Sequence, residues 1–267
     1  IMAGLVGSEM CIRDRHNSKL SIPEEDDLEN EINKTKEIIR NLYKYEDVNL
    51  SDTQKSTKKI AIFDYENNLK ELQDFPYHDY PLNQIGGIHL NTIEFMSDMH
   101  PVRNKNEAND FIKRVNLIKE VYEGIATELE KQSEAGIFPP EFVYVRVIEQ
   151  LNEFINYSYN EHPLYNQFNK KVLLLNLSEE EEKFFKNAIK NSIDKSVTPG
   201  FKILRAFMLK TQKNANKNHG VWSQPNGDEF YKLRIRTFTT TDYSPEEIHQ
   251  MGLDAVSYTN LTMPTIP

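Results

Sequence analysis

The sequence predicts an all-α protein: a bundle of long helices joined in two places by long ordered loops. Three observations carry that expectation. Apolar residues recur at three- and four-residue steps over most of the chain. Helix start and stop signals (Ser-x-x-Glu boxes, early prolines, a trailing glycine) fall where the periodic stretches begin and end. No stretch alternates convincingly as a strand does, the ambiguous runs being short ones such as Phe142–Val147.

The elements follow in order. Ser21 and Pro23 open a helix over 24–45, with Leu28, Ile32, Ile39 and Leu42 near one face. Ile62, Tyr65, Leu69 and Leu72 mark a second over 58–73. A loop rich in Pro, Gly and aromatic residues follows at 74–103. Phe111, Val115, Ile118, Tyr122, Ile125 and Leu129 predict one long helix over 105–133. Gly136 serves as its stop, and Pro139 and Pro140 start the next, which runs to about residue 157 and buries Val143, Val147, Ile148, Leu151 and Ile155. Ser178 and Glu181 form a capping box, each side chain satisfying the other's backbone N–H, and Phe184, Phe185, Ala188 and Ile189 follow on one side. Pro199 lies inside the apolar pattern 193–209 and is expected to end or kink a helix. A second loop covers 211–228, and Ser244-Pro245-Glu246-Glu247 caps a last helix. There is no repeat of fixed period and no low-complexity linker. Loops this long in a compact domain are usually functional or disordered, and these are not polar low-complexity sequence, which favours ordered and functional ones.

Composition narrows the partners. The net charge is -9 and no stripe of Lys and Arg runs along any element, which argues against nucleic acid. No apolar run reaches the ~18–20 residues that span a bilayer. The one cysteine, Cys11, lies in the opening "IMAGLVGSEMCIRDR". That opening, residues 1–15, and the closing "VSYTNLTMPTIP", residues 256–267, read as non-native, adapter-derived tails. A signal peptide fits the opening poorly, because it lacks a basic start and carries Glu9 in its apolar part. The expectation is therefore one incomplete helical domain over 16–255, with no disulfide and no thiolate nucleophile.

Three places carry candidate chemistry. Glu246 and His249 have the Glu-x-x-His spacing of carboxylate-bridged metal helices, but no second such pair exists, and Glu246 and Glu247 suit a helix's first turn. The helix-start reading is preferred, with no metal ligand assigned to any residue. The 219–231 loop presents His219, Trp222 and Tyr231 among turn signals at Pro225 and Asn226-Gly227. It reads equally as a ligand pocket or as a loop pinned to the core by Trp222. Asn83, Gln84 and His89, beside Gly86-Gly87, are pocket lining or, preferred, satisfied loop polars. No zincin motif, nucleophile elbow or phosphate-cradling glycine loop occurs.

Four stretches, taken together, resemble the bacterial domain of unknown function 885 (DUF885) family. They are "YPLNQIGGIH" (80–89), "EAGIFPPEFVYVRVIEQL" (134–151), "SVTPGFKIL" (196–204) and "GVWSQPNGDEFYKLRIRTFTTTDYSPEEIHQMGLD" (220–254). The resemblance covers nearly all of about 60–254. It marks Gly220, Trp222, Pro225, Gly227, Tyr231, Thr240, Asp242, Glu247, His249 and Gly252 as motif positions. The family resembles zinc metallopeptidases. The resemblance therefore implies that a longer parent hydrolyses peptides with zinc held by residues downstream of 254, a Glu serving as general base. This chain would be its N-terminal, non-catalytic part, a metallopeptidase-like cleft wall lacking the C-terminal half and holding no cofactor itself. Trp222, Tyr231, His249, His219, Asn83 and His89 would be its peptide-binding candidates. The family also implies an exported or periplasmic protein. The competing expectation is a helical module that binds a peptide or small ligand without catalysis.

Overall fold

The computed structural model describes residues 18–262, with side chains to 257. The proposed tail at 1–15 lies outside the described residues, as does the end of the one proposed at 256–267. Among the described residues the elements are helices and short helical turns, with no strand; one isolated parallel bridge joins Pro140 and Asn216. The expected all-α helical bundle is what the chain forms. It divides into two compact units, one built from the residues up to Asp27 with Asp79–His219, the other from Leu28–His78 with Gly220 onward.

The first unit holds α3 (Ile88–Glu94), α4 (Lys105–Asn116), α5 (Ile118–Glu134), α6 (Glu141–Asn156), α7 (Pro163–Leu173), α8 (Glu179–Ser192) and α9 (Thr198–Thr211). Helix α9 packs on α5 and α6, while α8 packs on α4 and α7. The predicted core positions Phe111, Val115, Ile118, Tyr122, Ile125 and Leu129 are all buried, joined by Phe168, Phe185 and Phe201. Phe111 stacks on Phe168 at 4.6 Å between ring centres, and Tyr122 meets Phe201 edge-on at 5.5 Å. Ser178 and Glu181 make the predicted capping box at the start of α8. Gly136, at φ 76, follows the end of α5 as its stop.

Several boundaries differ from expectation, each for a local reason. The long helix over 105–133 is two helices. The turn at Leu117 is held by Ser196, whose hydroxyl donates to Asn116 O (2.9 Å) and accepts from Lys119 N (3.0 Å). Ser196 lies in a π-helical turn, Ile193–Val197, placed between α8 and α9 just before Pro199. Pro199 thus interrupts the pattern as expected, and Thr198 and Pro199 then open α9. Gly200 lets α9 approach closely: a Cβ there would lie 2.9 Å from the Tyr122 ring. The 74–103 segment is not all loop, since it contains α3 and a second π-helical turn, Phe95–Met99. Helix α7 has no counterpart among the expected elements. His162 caps it, Nδ1 accepting Leu164 N at 3.2 Å. The Phe142–Val147 run is the first half of α6. Phe184 stands exposed rather than beside Phe185 in the core, where two adjacent helical residues cannot both point.

The second unit holds α1 (Asp27–Tyr43, all but its first residue), α2 (Asp52–Asp74), α10 (Gly227–Thr239) and α11 (Pro245–Thr262). Helix α2 begins six residues before the expected 58, at a Ser51/Gln54 capping box. Tyr43 donates to Glu66 at 2.7 Å, linking α1 to α2. Helix α10 packs on α2, where Phe75, Phe230 and Leu233 form a small core. Arg234 reaches Glu71 at 2.9 Å.

Candidate functional site

The 220–227 turn is built by its own backbone. Ser223 N and Oγ both donate to Gly220 O (3.1 and 2.7 Å), and Gln224 N donates to Val221 O (3.0 Å). Asn226 takes a left-handed φ of 54 immediately before α10. Two of the motif glycines answer to crowding. A Cβ on Gly227 would sit 2.0 Å from Val221 O, and one on Gly220 would sit 2.1 Å from the Trp222 indole nitrogen. The indole therefore lies folded back on the Gly220 backbone and still leaves Trp222 62% exposed.

Trp222 is consequently not what pins the loop. Half-buried Val221 packs on Phe75, Phe230 and Leu233 instead. The second pin is His78, a residue the sequence reading passed over. Its ring packs against Phe75 (5.1 Å) and Phe230 (4.8 Å), and its Nε2 donates to Pro225 O at 2.7 Å. A carbonyl only accepts, so Nε2 carries the proton. The available signal was the aromatic density of "DFPYHDYP" around it.

Helix α10 ends at Thr240, a motif position with left-handed φ 54, whose N–H closes on Arg236 O at 2.9 Å. Asp242, the next motif acid, pairs with Arg236, which also reaches Asn67 Oδ1 at 3.1 Å and lies over the Phe63 ring. The Ser244/Glu247 capping box forms as expected: Ser244 N donates to Glu247 Oε2 (2.7 Å) and Glu247 N to Ser244 Oγ (3.1 Å). A carboxylate in this place stabilises the helix start, and that accounts for Glu247.

Two grooves meet where α10 approaches the start of α11. One, of about 430 Å³, is lined by Tyr231, Arg234, Ile235, Phe238, Thr239, Pro245, Ile248 and His249. The other, of about 630 Å³, is lined by Gly220, Val221, Trp222, Asp228, Tyr231, Lys232, Pro245 and Glu246. Tyr231 and Pro245 belong to both. Tyr231, Trp222 and His249 are thus brought to one junction, all exposed, their side chains making no hydrogen bond to a described residue. Glu246 and His249 line different grooves, as two residues three apart on a helix wall do when they straddle a ridge. Gly252 lies in α11 with open space where its Cβ would be.

The remaining candidates lie in the first unit. His219 is exposed and meets Phe142 edge-on at 5.2 Å. Asn83 organises its own loop, its Oδ1 accepting Ile85 N (3.1 Å) and Gly86 N (2.8 Å) and its Nδ2 donating to Tyr80 O (3.1 Å). His89 is fully buried. Gln150 donates to Gln84 O at 3.0 Å, which turns the amide oxygen toward His89 Nε2 at 3.0 Å and makes that nitrogen the donor. Burial pushes the His89 pKa down to about 4, the Gln150 contact opposing. His162, away from every candidate, is held down to about 4 by burial as well. His89 is thus closed off from solvent, and the Asn83 amide is engaged within its own loop.

Among the described residues no group of three or more His, Cys, Asp or Glu side chains could hold a metal ion. No helix among them is long and apolar enough to cross a membrane. A family model described as bacterial protein of unknown function (DUF885) matches residues 2–266. No curated protein matches. A solved structure, a candidate lipoprotein from Colwellia psychrerythraea, superposes with a TM-score of 0.84 at 20% identity. The match covers 96% of this chain and 46% of that one, so the chain spans about half the length of the solved structure.

Proposed function

This chain belongs to the bacterial DUF885 family, and on that premise we propose that it forms the substrate-holding, non-catalytic part of a zinc-dependent peptide hydrolase. The observation that carries the reading is the junction of α10 and α11. There Trp222, Tyr231 and His249, apolar bodies with hydrogen-bonding tips, stand exposed on α10, α11 and the turn before α10, a turn that His78 pins at Pro225. Protein side chains of this kind on rigid supports are what a peptide site uses. The Tyr231 hydroxyl and the His249 ring are free to donate to a peptide carbonyl. They would orient it and, where it becomes the scissile group, stabilise the developing oxyanion.

Zinc, when bound, would polarise that carbonyl and lower the pKa of a bound water. The described residues do not fit a zinc centre. Glu246 is better explained as a first-turn carboxylate than as a partner of His249. The metal ligands are accordingly expected on the rest of a longer polypeptide, in keeping with the 46% coverage of the solved structure. That structure's description as a candidate lipoprotein also supports export for the present protein.

The test is hydrolysis. The zinc-loaded longer polypeptide should cleave members of a broad peptide library, and Tyr231→Phe or His249→Ala should lower kcat/KM by about 10–1000-fold, the range for losing a transition-state donor. Peptide binding with no cleavage of any member would leave a binding module without catalysis and end the hydrolase reading.

A further inference from the structure

The larger groove at the α10–α11 junction has a charge pattern of its own. Its walls are aromatic, Trp222 on the 220–227 turn and Tyr231 on α10. Its rim carries Asp228, from the first turn of α10, and Glu246, from the first turn of α11. Neither carboxylate has a hydrogen bond or ion pair to a described residue, whereas the neighbouring Glu229 and Glu247 are both engaged. The one cation lining the groove is Lys232, and Glu229 takes it at 2.7 Å. Glu229 holds the Lys232 ammonium above the ordinary lysine range, with Asp228 and Glu246 adding to the pull. The groove therefore carries two carboxylates that form no ion pair of their own, on the same wall as two exposed aromatic side chains.

That combination selects for a cation. Carboxylates attract it electrostatically, and the negative faces of indole and phenol rings accept it without a strict hydrogen-bond geometry. The Trp222 indole lies close over the Gly220 backbone, with most of it open to solvent. A volume of about 630 Å³ admits a side chain of lysine or arginine length.

We propose that this groove is a subsite for a cationic group of a peptide, the guanidinium or ammonium of a basic residue, held against Trp222 and Tyr231 and between Asp228 and Glu246. The proposal rests on reading the α10–α11 junction as a peptide site, and it names the class of peptide.

Trp222 is the only tryptophan, so its fluorescence reports on this groove alone. The full chain is titrated with N-acetyl-Ala-Arg-Ala-amide, with the same peptide carrying citrulline in place of arginine, with unblocked Ala-Ala-Ala-amide, with N-acetyl-Ala-Glu-Ala-amide and with N-acetyl-arginine-amide. The arginine peptide should bind saturably and the neutral citrulline peptide about tenfold or more weakly. Glu246→Gln and Asp228→Asn should each weaken the arginine peptide about 3–10-fold and leave the citrulline peptide unchanged, a split that a folding defect would not produce. Lys232→Gln should tighten the arginine peptide, because it removes a like charge from the groove wall and frees Glu229. Equal affinity for arginine and citrulline would overturn the cation subsite and leave peptide binding standing. Preference for the glutamate peptide, lost in Lys232→Gln, would overturn it in favour of an anion site. Binding of the unblocked alanine peptide as tight as the arginine peptide would support the subsite and assign its cation to the amino terminus. Binding of N-acetyl-arginine-amide but of no peptide would uphold the subsite and end the peptide reading. No response to any probe would overturn both.

Discussion

The two units differ in where most of their large aromatic side chains lie. In the first, Phe111, Tyr122, Phe168 and Phe201 are sealed in a core that draws on seven helices. In the second, the buried cluster is Phe75, Phe230 and Leu233, with Leu72 buried on α2, while Trp222, Tyr231, Phe238 and Tyr243 stand in solvent on or beside α10. The same residue type therefore carries stability in one place and is available for recognition in the other. Large exposed apolar groups clustered on one surface are the informative departure from ordinary burial. Both π-helical turns sit in the first unit, one extending α3 and the other joining α8 to α9.

The sharpest way to break this comparison is a matched pair of truncations. Phe111→Ala should cost about 3–5 kcal/mol in a denaturant melt, as a buried aromatic leaving a cavity does. Phe238→Ala, at 76% exposure, should cost less than about 1 kcal/mol, its one notable contact being Arg234 over the ring. Comparable losses would mean that the exposed aromatics are structural after all.

Acid should strike the first unit next hardest. His89 and His162 ionise near 4 when folded and near 6.5 when unfolded. Between those values the unfolded chain binds protons that the folded chain refuses, so stability rises with pH there. It is full above about 6.5 and is lost as pH falls toward 4. The difference amounts to about 3 kcal/mol for each histidine. His162→Asn keeps a good helix cap for α7 and removes one titration. Melts at pH 7.5 and pH 5 should show its acid loss cut by about half. An unchanged loss would place the acid sensitivity elsewhere.

The smallest expected effect tests whether the second unit stores strain. Thr240 is β-branched yet left-handed, a conformation that costs about 1–3 kcal/mol in a non-glycine residue. Thr240→Gly should raise stability by about 0.5–1 kcal/mol, part of the relieved strain being offset by a freer unfolded chain. A variant that melts higher yet loses peptide binding would show that the strain serves the site. A destabilised variant would show that the Thr240 side-chain contacts outweigh it.

Much of the fold was legible along the chain because its causes are local. Capping boxes at Ser178 and Ser244 need only a side chain and a backbone N–H three residues apart. The core stripe of α4 and α5 needs only helical spacing, and Pro199 interrupts a helix whatever its neighbours are. The break at Leu117 was not legible, because the group that stabilises it, Ser196, lies 80 residues from Asn116. Helix α3 is seven residues long, too short to show a period beneath the Gly and Pro signals around it. Of the site, the residue types were legible and their exposure was not.

By itself, then, the sequence determined the helices that carry their own caps and stripes, the family to which their order belongs, and the short motif that holds the candidate site. Only the tertiary structure decided which of those residues meet solvent. It buried His89, stood Trp222 outward and gave the pinning of the 220–227 turn to Val221 and His78. The physical reason is range. Helix formation is settled by neighbours within four residues, whereas burial is settled by whatever the fold brings alongside, and His78 reaches Pro225 across 147 residues of chain.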